Sequence, residues 1–328
     1  MQRTIRFGLQ VSCRYLLPVD SVVRECKLIE RLGFHSIFFG DHLAYEDTGV
    51  SAPNTWVVLG IIARETSRVS LGMGVTDPHR YHPAVLAQMG STCDVLSNGR
   101  FILGLGAGEP MNLDPYGIEA TKPISRLKEA IRIIRRLWSE DQVDFTGEFY
   151  RFRRATVNPK PVPPPPIWVA ALSSKSIELV ASDADGWYPT LCSPDSYGHS
   201  SERIRTLLTI NKREPHAVER GLLLHANVAE EDSTSRHEVA AFLRKQVSHE
   251  IPSYTAATRG LGHVNSGELS SRMLFGSPRT VLSNLAKFVD AGAQHIVFRP
   301  VGPQVSRERT IRLLGEKVIP SYSEPARR

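Results

Sequence analysis

Residues Gly104 to Glu109 read GLGAGE and directly follow the apolar run Phe101-Ile102-Leu103. A glycine-rich turn that ends in an acid after such a run reads as a strand whose C-terminal end opens onto a bound cofactor. A dinucleotide fingerprint is the competing reading, and it requires G-x-G-x-x-G opening a helix. Here Gly104, Gly106 and Gly108 alternate as G-x-G-x-G, and Met111 to Gly117, after Glu109-Pro110, reads as loop. His79 and His82 stand three residues apart and could share a metal, but no carboxylate or thiolate cluster joins them, and a site needs three or more ligands; packing in the core or at a rim is the simpler expectation. Cys13, Cys26, Cys93 and Cys192 show no CxxC spacing. That argues against a zinc site and a disulfide framework, and it fits a reducing cytoplasm.

The elements that must position these residues follow from periodicity. Short apolar runs predict strands at Thr4 to Leu9, Ser36 to Gly40, Val69 to Val75, Arg100 to Gly104, Ile167 to Ala171, Gly186 to Pro189, Gly221 to Val228 and Gln294 to Arg299. Helical spacing places Val22, Cys26 and Ile29 on one face between Val19 and Leu32, and Leu127, Ile131, Ile134 and Trp138 on another. Further helices are predicted over Trp56 to Thr66, over Pro83 to Leu96, and after the Ser277-Pro278 cap. A hairpin is expected at Asp144 to Tyr150, and the stretch Pro159 to Pro166 reads as a stiff connector. Eight strands with intervening helices predict an α/β fold, a (β/α)8 TIM barrel with insertion segments. One domain over 1–328 is expected, with an insertion at about 248–272. In such a barrel the βα loops converge on one mouth. The polar sets there are Gly40-Asp41-His42, Gly74-Val75-Thr76-Asp77, Gly106-Ala107-Gly108-Glu109 with Asn112, and Ala171-Leu172-Ser173-Ser174-Lys175-Ser176.

Composition narrows the class. A 41% hydrophobic, 8% aromatic chain of 328 residues can build a substantial core. No run approaches the roughly 20 apolar residues of a membrane span, and the N-terminus begins as a strand, without a secretory signal. The net charge of +6 is spread along the chain in short clusters such as Arg132, Arg135 and Arg136. It lacks the dense stripe of a nucleic-acid surface and fits either a solvated basic surface or a pocket for a small polyanion.

The chain resembles the luciferase-like barrel superfamily, and within it the branch that uses the deazaflavin coenzyme F420, which includes methylenetetrahydromethanopterin reductase, phthiodiolone ketoreductase and F420-dependent glucose-6-phosphate dehydrogenase. The stretches that carry the resemblance are GDHL (Gly40 to Leu43), GVTDPHRYHPAVLAQ (Gly74 to Gln88), GLGAGE, and PYGIEATKPISRLKEAIRIIRRLW (Pro115 to Trp138). FGSPRTV (Phe275 to Val281) and PVGPQVSRERTIRLLGE (Pro300 to Glu316) add to it. Only about 193–272 is poorly matched.

The resemblance implies a cytoplasmic enzyme, commonly a homodimer, that moves a hydride between F420 and a small carbonyl, imine or methylene-type substrate. It places Glu109 and His42 beside the redox carbon, where a general acid would protonate the alkoxide that forms. It implies a cis Gly74-Val75 peptide under the deazaflavin. Thr76, Asn112 and Asp41 would meet the cofactor, although Asp41 reads equally well as a strut of the rim. Ser173, Ser174, Lys175 and Ser176, with Ala171, stand where phosphate would bind at a helix N-terminus. Relatives carry Gly-Pro or several glycines there, and a plain Ser N-cap is the other reading. Tyr45 falls near an aromatic position of the deazaflavin pocket, or is a loop tyrosine. FMN in a monooxygenase of the same superfamily is the alternative cofactor and function, and a flavin-binding barrel without catalysis is a third reading.

Overall fold

The computed structural model of the chain describes residues 5–11, 19–45, 50–248 and 272–322. Its first half runs β1 (Arg6–Val11), α1 (Val19–Arg31), β2 (Ser36–Phe39), β3 (Ala44–Tyr45), β4 (Val50–Ser51), α2 (Thr55–Glu65), β5 (Ser70–Met73), α3 (Pro83–Ser97) and β6 (Phe101–Leu105). The middle continues with α4 (Pro110–Leu113), α5 (Pro123–Ser139), β7 (Val143–Thr146), β8 (Arg151–Ala155), β9 (Ile167–Val169), α6 (Ser174–Asp183), β10 (Gly186–Trp187) and α7 (Pro194–Ile210). Then come β11 (Glu219–Val228), α8 (Asp232–Ser248), β12 (Leu274–Gly276), α9 (Pro278–Asp290), β13 (His295–Pro300) and α10 (Gln304–Leu313).

Parallel pairing runs β1-β2-β5-β6-β9-β10-β11-β13 and returns to β1, which closes an eight-stranded barrel, while β12 adds beside the end of β11. These eight are the strands that the apolar runs predict. The helices form as their stripes require. Val22, Cys26 and Ile29 of α1 are buried, as are Leu127, Ile131, Ile134 and Trp138 of α5. The Trp138 indole Nε1 donates to the Ala87 carbonyl at 2.9 Å, tying α5 to α3. Pro83 starts α3, and Asn98 ends it in the left-handed region. The expected hairpin is β7–β8, and its turn is held by Glu129, whose carboxylate accepts from the N–H groups of Glu148, Phe149 and Tyr150. Arg132, Arg135 and Arg136 pair with Asp183, Asp185 and Glu140, so this cluster is an ion-paired outer surface.

One departure has a physical reason. Residues after Glu109 form the single turn α4 and a 3-10 turn, Asp114–Tyr116, where loop is expected; Pro110 at the first helical position has its φ already set for a helix. The expected insertion, apart from its end residues, lies outside the described residues. No described helix is long and apolar enough to cross a membrane.

Packed side chains fill the barrel. Phe38, Ile102, Trp168, Tyr188, Leu223 and Val297 form one interior layer, with the Phe38 ring 5.4 Å from Trp168 and 5.1 Å from Tyr188. Below it, Ser36 Oγ and His295 Nε2 lie 2.6 Å apart, and His295 Nδ1 is 3.0 Å from Glu219. Glycine makes room for a ring at Gly72, where a Cβ would stand 2.3 Å from Phe38 Cε1, and for the neighbouring strand at Gly104, where one would stand 1.8 Å from the Met73 carbonyl oxygen. Gly72→Ala is therefore expected to overpack the interior and cost about 1–3 kcal/mol. Gly60→Ala in α2, whose nearest neighbour would be Leu96 Cδ1 at 3.8 Å, should stabilise by up to about 1 kcal/mol through helix propensity. Urea unfolding of both variants tests the pair, and a neutral Gly72→Ala would show that the interior is looser than this packing requires.

Candidate active site

The C-terminal ends of β2 and β5 are locked by one buried ion network. Asp77 Oδ1 accepts from the backbone N–H of His79 and Arg80, both at 3.0 Å, which folds the loop back on itself. That turn aims the Arg80 side chain inward, where Nε meets Asp77 Oδ2 at 2.5 Å and Nη2 meets both the Asp41 carbonyl at 2.8 Å and Asp41 Oδ2 at 3.1 Å. Thr76 donates its hydroxyl to the same Asp41 oxygen at 2.7 Å. Asp41, Thr76 and Asp77 are buried. Burial pushes the Asp41 carboxyl up from its ordinary value, against the pull of Arg80 and Thr76. Asp41 and Thr76 thus spend these polar atoms on holding two strand ends together.

Past Asp41 the chain turns and the His42 ring folds over Gly40, with Nε2 3.0 Å from where a Cβ on Gly40 would stand. His42 Nδ1 lies 3.0 Å from Asn112 Nδ2 and 3.6 Å from Glu109 Oε2. Asn112 is buried, and its Oδ1 accepts from the Leu43 N–H at 2.8 Å, so it fixes the β2 loop against α4. Glu109 occupies the N-cap position of α4, yet its carboxylate makes no capping bond there. It turns instead to His42 and Asn112, with a side chain 44% exposed against 15% for His42. The three groups form one string at the barrel mouth.

The Gly74-Val75 peptide is cis, as the resemblance implies. Val75 packs on the interior layer at the mouth, and Gly106 has no side chain where Val75 arrives: a Cβ would stand 2.7 Å from Val75 Cγ2. Gly108 has φ +88°, which glycine adopts freely, and its open side faces Leu113 and His79. Ala107 is partly buried between them.

In the loop after β9, Ser173 and Ser176 form a reciprocal capping box on α6. Ser174 Oγ accepts from Arg203, and Lys175 is exposed. The N–H groups of Ser174 and Lys175, which have no intrahelical acceptor, are what this helix end offers an anion. Ala171 is buried at the end of β9, where its carbonyl accepts from Trp187 Nε1. Tyr45 pairs with Val50 through its backbone, and its side chain lies outside the described residues. His82 caps α3, accepting from the Ala84 N–H, while His79 packs against Gly108. Among the described residues no three His, Cys, Asp or Glu side chains gather as metal ligands.

Residues with no individual sequence signal complete the mouth. Gln10 Oε1 accepts from the Tyr188 hydroxyl at 3.1 Å, and both are buried. His225 and Arg299 lie side by side on β11 and β13. Each is an inward position near the end of its strand, which barrel geometry could have flagged. Arg80 stands within the GVTDPHRYHP stretch, but its aim depends on the Asp77 turn.

Arg80→Met is expected to cost about 3–5 kcal/mol, because it leaves two buried carboxylates without their cation. Without Arg80 the folded Asp41 would hold its proton still more tightly than the unfolded chain does. The variant's stability should therefore fall as pH rises from the ordinary carboxylate range through the raised folded value. Urea unfolding at pH 5 and pH 8 measures this, and an equal deficit at both would remove Asp41 as the cause.

Among curated proteins, the chain is 31% identical over 318 residues to an F420-dependent glucose-6-phosphate dehydrogenase of Kineococcus radiotolerans, covering 92% of this chain and 93% of that protein. It is 37% identical over 174 residues to an F420-dependent hydroxymycolic acid dehydrogenase of Mycobacterium tuberculosis, covering 51% and 48%. Among solved structures, an F420-dependent secondary alcohol dehydrogenase in complex with an F420-acetone adduct superposes with a TM-score of 0.84 at 19% identity, over 98% of this chain and 100% of that one. The coenzyme F420-dependent tetrahydromethanopterin reductase of Methanopyrus kandleri gives 0.80 at 20% identity, over 97% and 99%. At those identities the superpositions speak for the barrel. The luciferase-like monooxygenase family matches residues 7–295, and the chain belongs to that family.

Proposed function

We propose that this chain is a coenzyme F420-dependent oxidoreductase, one barrel domain acting on a small organic substrate of the carbonyl, imine or methylene type, with Glu109 and His42 handling the proton. The observation that carries the reading is the Glu109–Asn112–His42 string at the mouth, beside the cis Gly74-Val75 peptide, in a chain 31% identical to an F420-dependent dehydrogenase along 92% of its length. The residues suit a flat ring system: Gly106 lets Val75 lie close against the end of β6 at the mouth, and the α6 N-terminus offers N–H groups to a phosphate. When bound, the deazaflavin supplies the hydride chemistry.

The chain's own part is orientation and the proton. Val75, seated against Gly106, would hold the ring, and Ser174 and Lys175 the phosphate. Asn112 fixes the His42 ring against Glu109, so that the carboxyl faces the same space as the imidazole. Glu109 would give a proton to the oxygen of a carbonyl being reduced, or take it from an alcohol being oxidised. Asp41 and Thr76 act behind this surface as its frame.

F420 should bind at micromolar affinity or better and FMN much more weakly, as followed by fluorescence titration. Glu109→Gln should keep that affinity while turnover falls by roughly 10²–10⁴, the range for losing a general acid. Tight FMN binding without response to F420 overturns the cofactor, and a Glu109→Gln rate near wild type across pH overturns the role of the carboxyl. The reading extends to a homodimer through α2 and α3, whose outer faces expose Val57, Ile61, Val85 and Val95. Sedimentation equilibrium should give a dimer for the wild type and a monomer for Val57→Lys/Val95→Lys; an unchanged mass excludes this face.

A further inference from the structure

At the barrel mouth stands Arg299, a cation to which no described carboxylate is paired. Along β13, His295 and Val297 face the interior, the first bonded to Ser36 and the second packed in the Phe38–Trp168 layer. Strand periodicity turns Arg299 the same way, one step nearer the mouth. The register agrees, since Leu223 of the interior layer lies opposite Val297, and His225 opposite Arg299. Arg299 is partly buried, and among the described residues no carboxylate forms an ion pair with it. Asp41 and Asp77 belong to Arg80, Glu109 faces His42, and Glu238 pairs with Arg309.

The described groups that sense its charge, Tyr188 and His225, carry no negative charge. Tyr188 is fully buried, and burial pushes its phenol well above the ordinary value. Burial, and then Arg299 itself, hold the His225 imidazole well below its ordinary value, so it too is neutral. A guanidinium is always charged, and one partly withdrawn from water ordinarily has a partner. Gln10 links this place to the proton-handling side. Its Oε1 accepts from Tyr188, and its Nε2 lies 3.4 Å from where a Cβ on Gly40 would stand, beside the His42 ring.

We propose that Arg299 is the substrate's anion-binding residue: its guanidinium takes the carboxylate or phosphate group of a substrate whose reacting carbon lies at Glu109 and His42, through paired charge-assisted hydrogen bonds. The proposal rests on the oxidoreductase reading for the identity of the ligand, and it makes the substrate an organic acid or a phosphate ester.

The test labels full-length protein with phenylglyoxal, with and without F420, and follows Arg299 by peptide mass spectrometry. Inorganic phosphate or acetate should slow its modification, whereas chloride at equal ionic strength should not. The stronger protector of the two identifies the oxyanion. In parallel, the thermal stabilisation given by that anion should persist in Arg299→Lys and weaken by roughly 10- to 100-fold in its midpoint concentration in Arg299→Met, the loss expected for a hydrogen bond between charged groups. F420 affinity should be the same in all three proteins. Absence of protection by either anion overturns the proposal. So does protection by F420 alone combined with weakened F420 binding in Arg299→Met, which would give the guanidinium to the cofactor. Anion protection in a protein that binds no F420 would leave the anion site standing and remove the F420-dependent reading instead.

Discussion

The placement of the mouth residues depends on Arg80. One guanidinium neutralises two carboxylates from different strand ends, Asp41 after β2 and Asp77 after β5, and its own aim is set by the turn that Asp77 makes with the following backbone. Two buried carboxylates this close repel each other and lack water, so the arrangement holds only with the cation between them. Its consequence is positional. His42 follows Asp41 directly and Val75 precedes Thr76, so fixing Asp41 to Thr76 fixes the relation between the imidazole and Val75.

The barrel itself was legible because its strands are parallel and covered on both faces. Such strands read as continuous apolar runs, and each of the eight did, down to Gly186-Trp187. Helices with a clear stripe, α1 and α5, were legible for the same reason. GLGAGE and GDHL marked the mouth because their glycines and acids stand at strand ends. What the sequence could not convey is how those residues divide the work. Thr76, Asp41 and Asn112 are as polar as Glu109, but closure of the barrel points the first two at each other and places Asn112 behind His42, contacts between residues 35 and 70 positions apart in the chain. The Pro110 turn was missed because its residues favour loop, and only the proline argued otherwise. In the sequence Arg299 is only the last residue of a strand; that no described carboxylate pairs with it becomes visible once Asp41, Asp77 and Glu109 are seen to be engaged elsewhere.

The two sides of the mouth differ in kind. On the β2–β6 side stand an imidazole and a carboxyl joined through Asn112, one largely covered and the other nearly half exposed. On the β10–β13 side stand a buried phenol, a neutral imidazole and a guanidinium that no described carboxylate pairs with. The floor between them is apolar, built from Phe38, Ile102, Trp168 and Val297.

That asymmetry suits a reaction in which a proton and a hydride travel separately. A group that gives or takes a proton in each cycle must be reset by solvent, and of the two proton-handling candidates Glu109 has that access, while His42 gains from being covered because a shielded neighbour holds the carboxyl in one orientation. An apolar floor with neutral buried neighbours keeps the local dielectric low, which strengthens both the Glu109 hydrogen bonds and any bond that Arg299 makes to an oxyanion. A substrate anchored through its anion at one wall would present its reacting carbon to the other, with no freedom to bind reversed. A guanidinium left without a carboxylate among the described residues is what such anchoring requires, because a resident acid would compete for the same bonds.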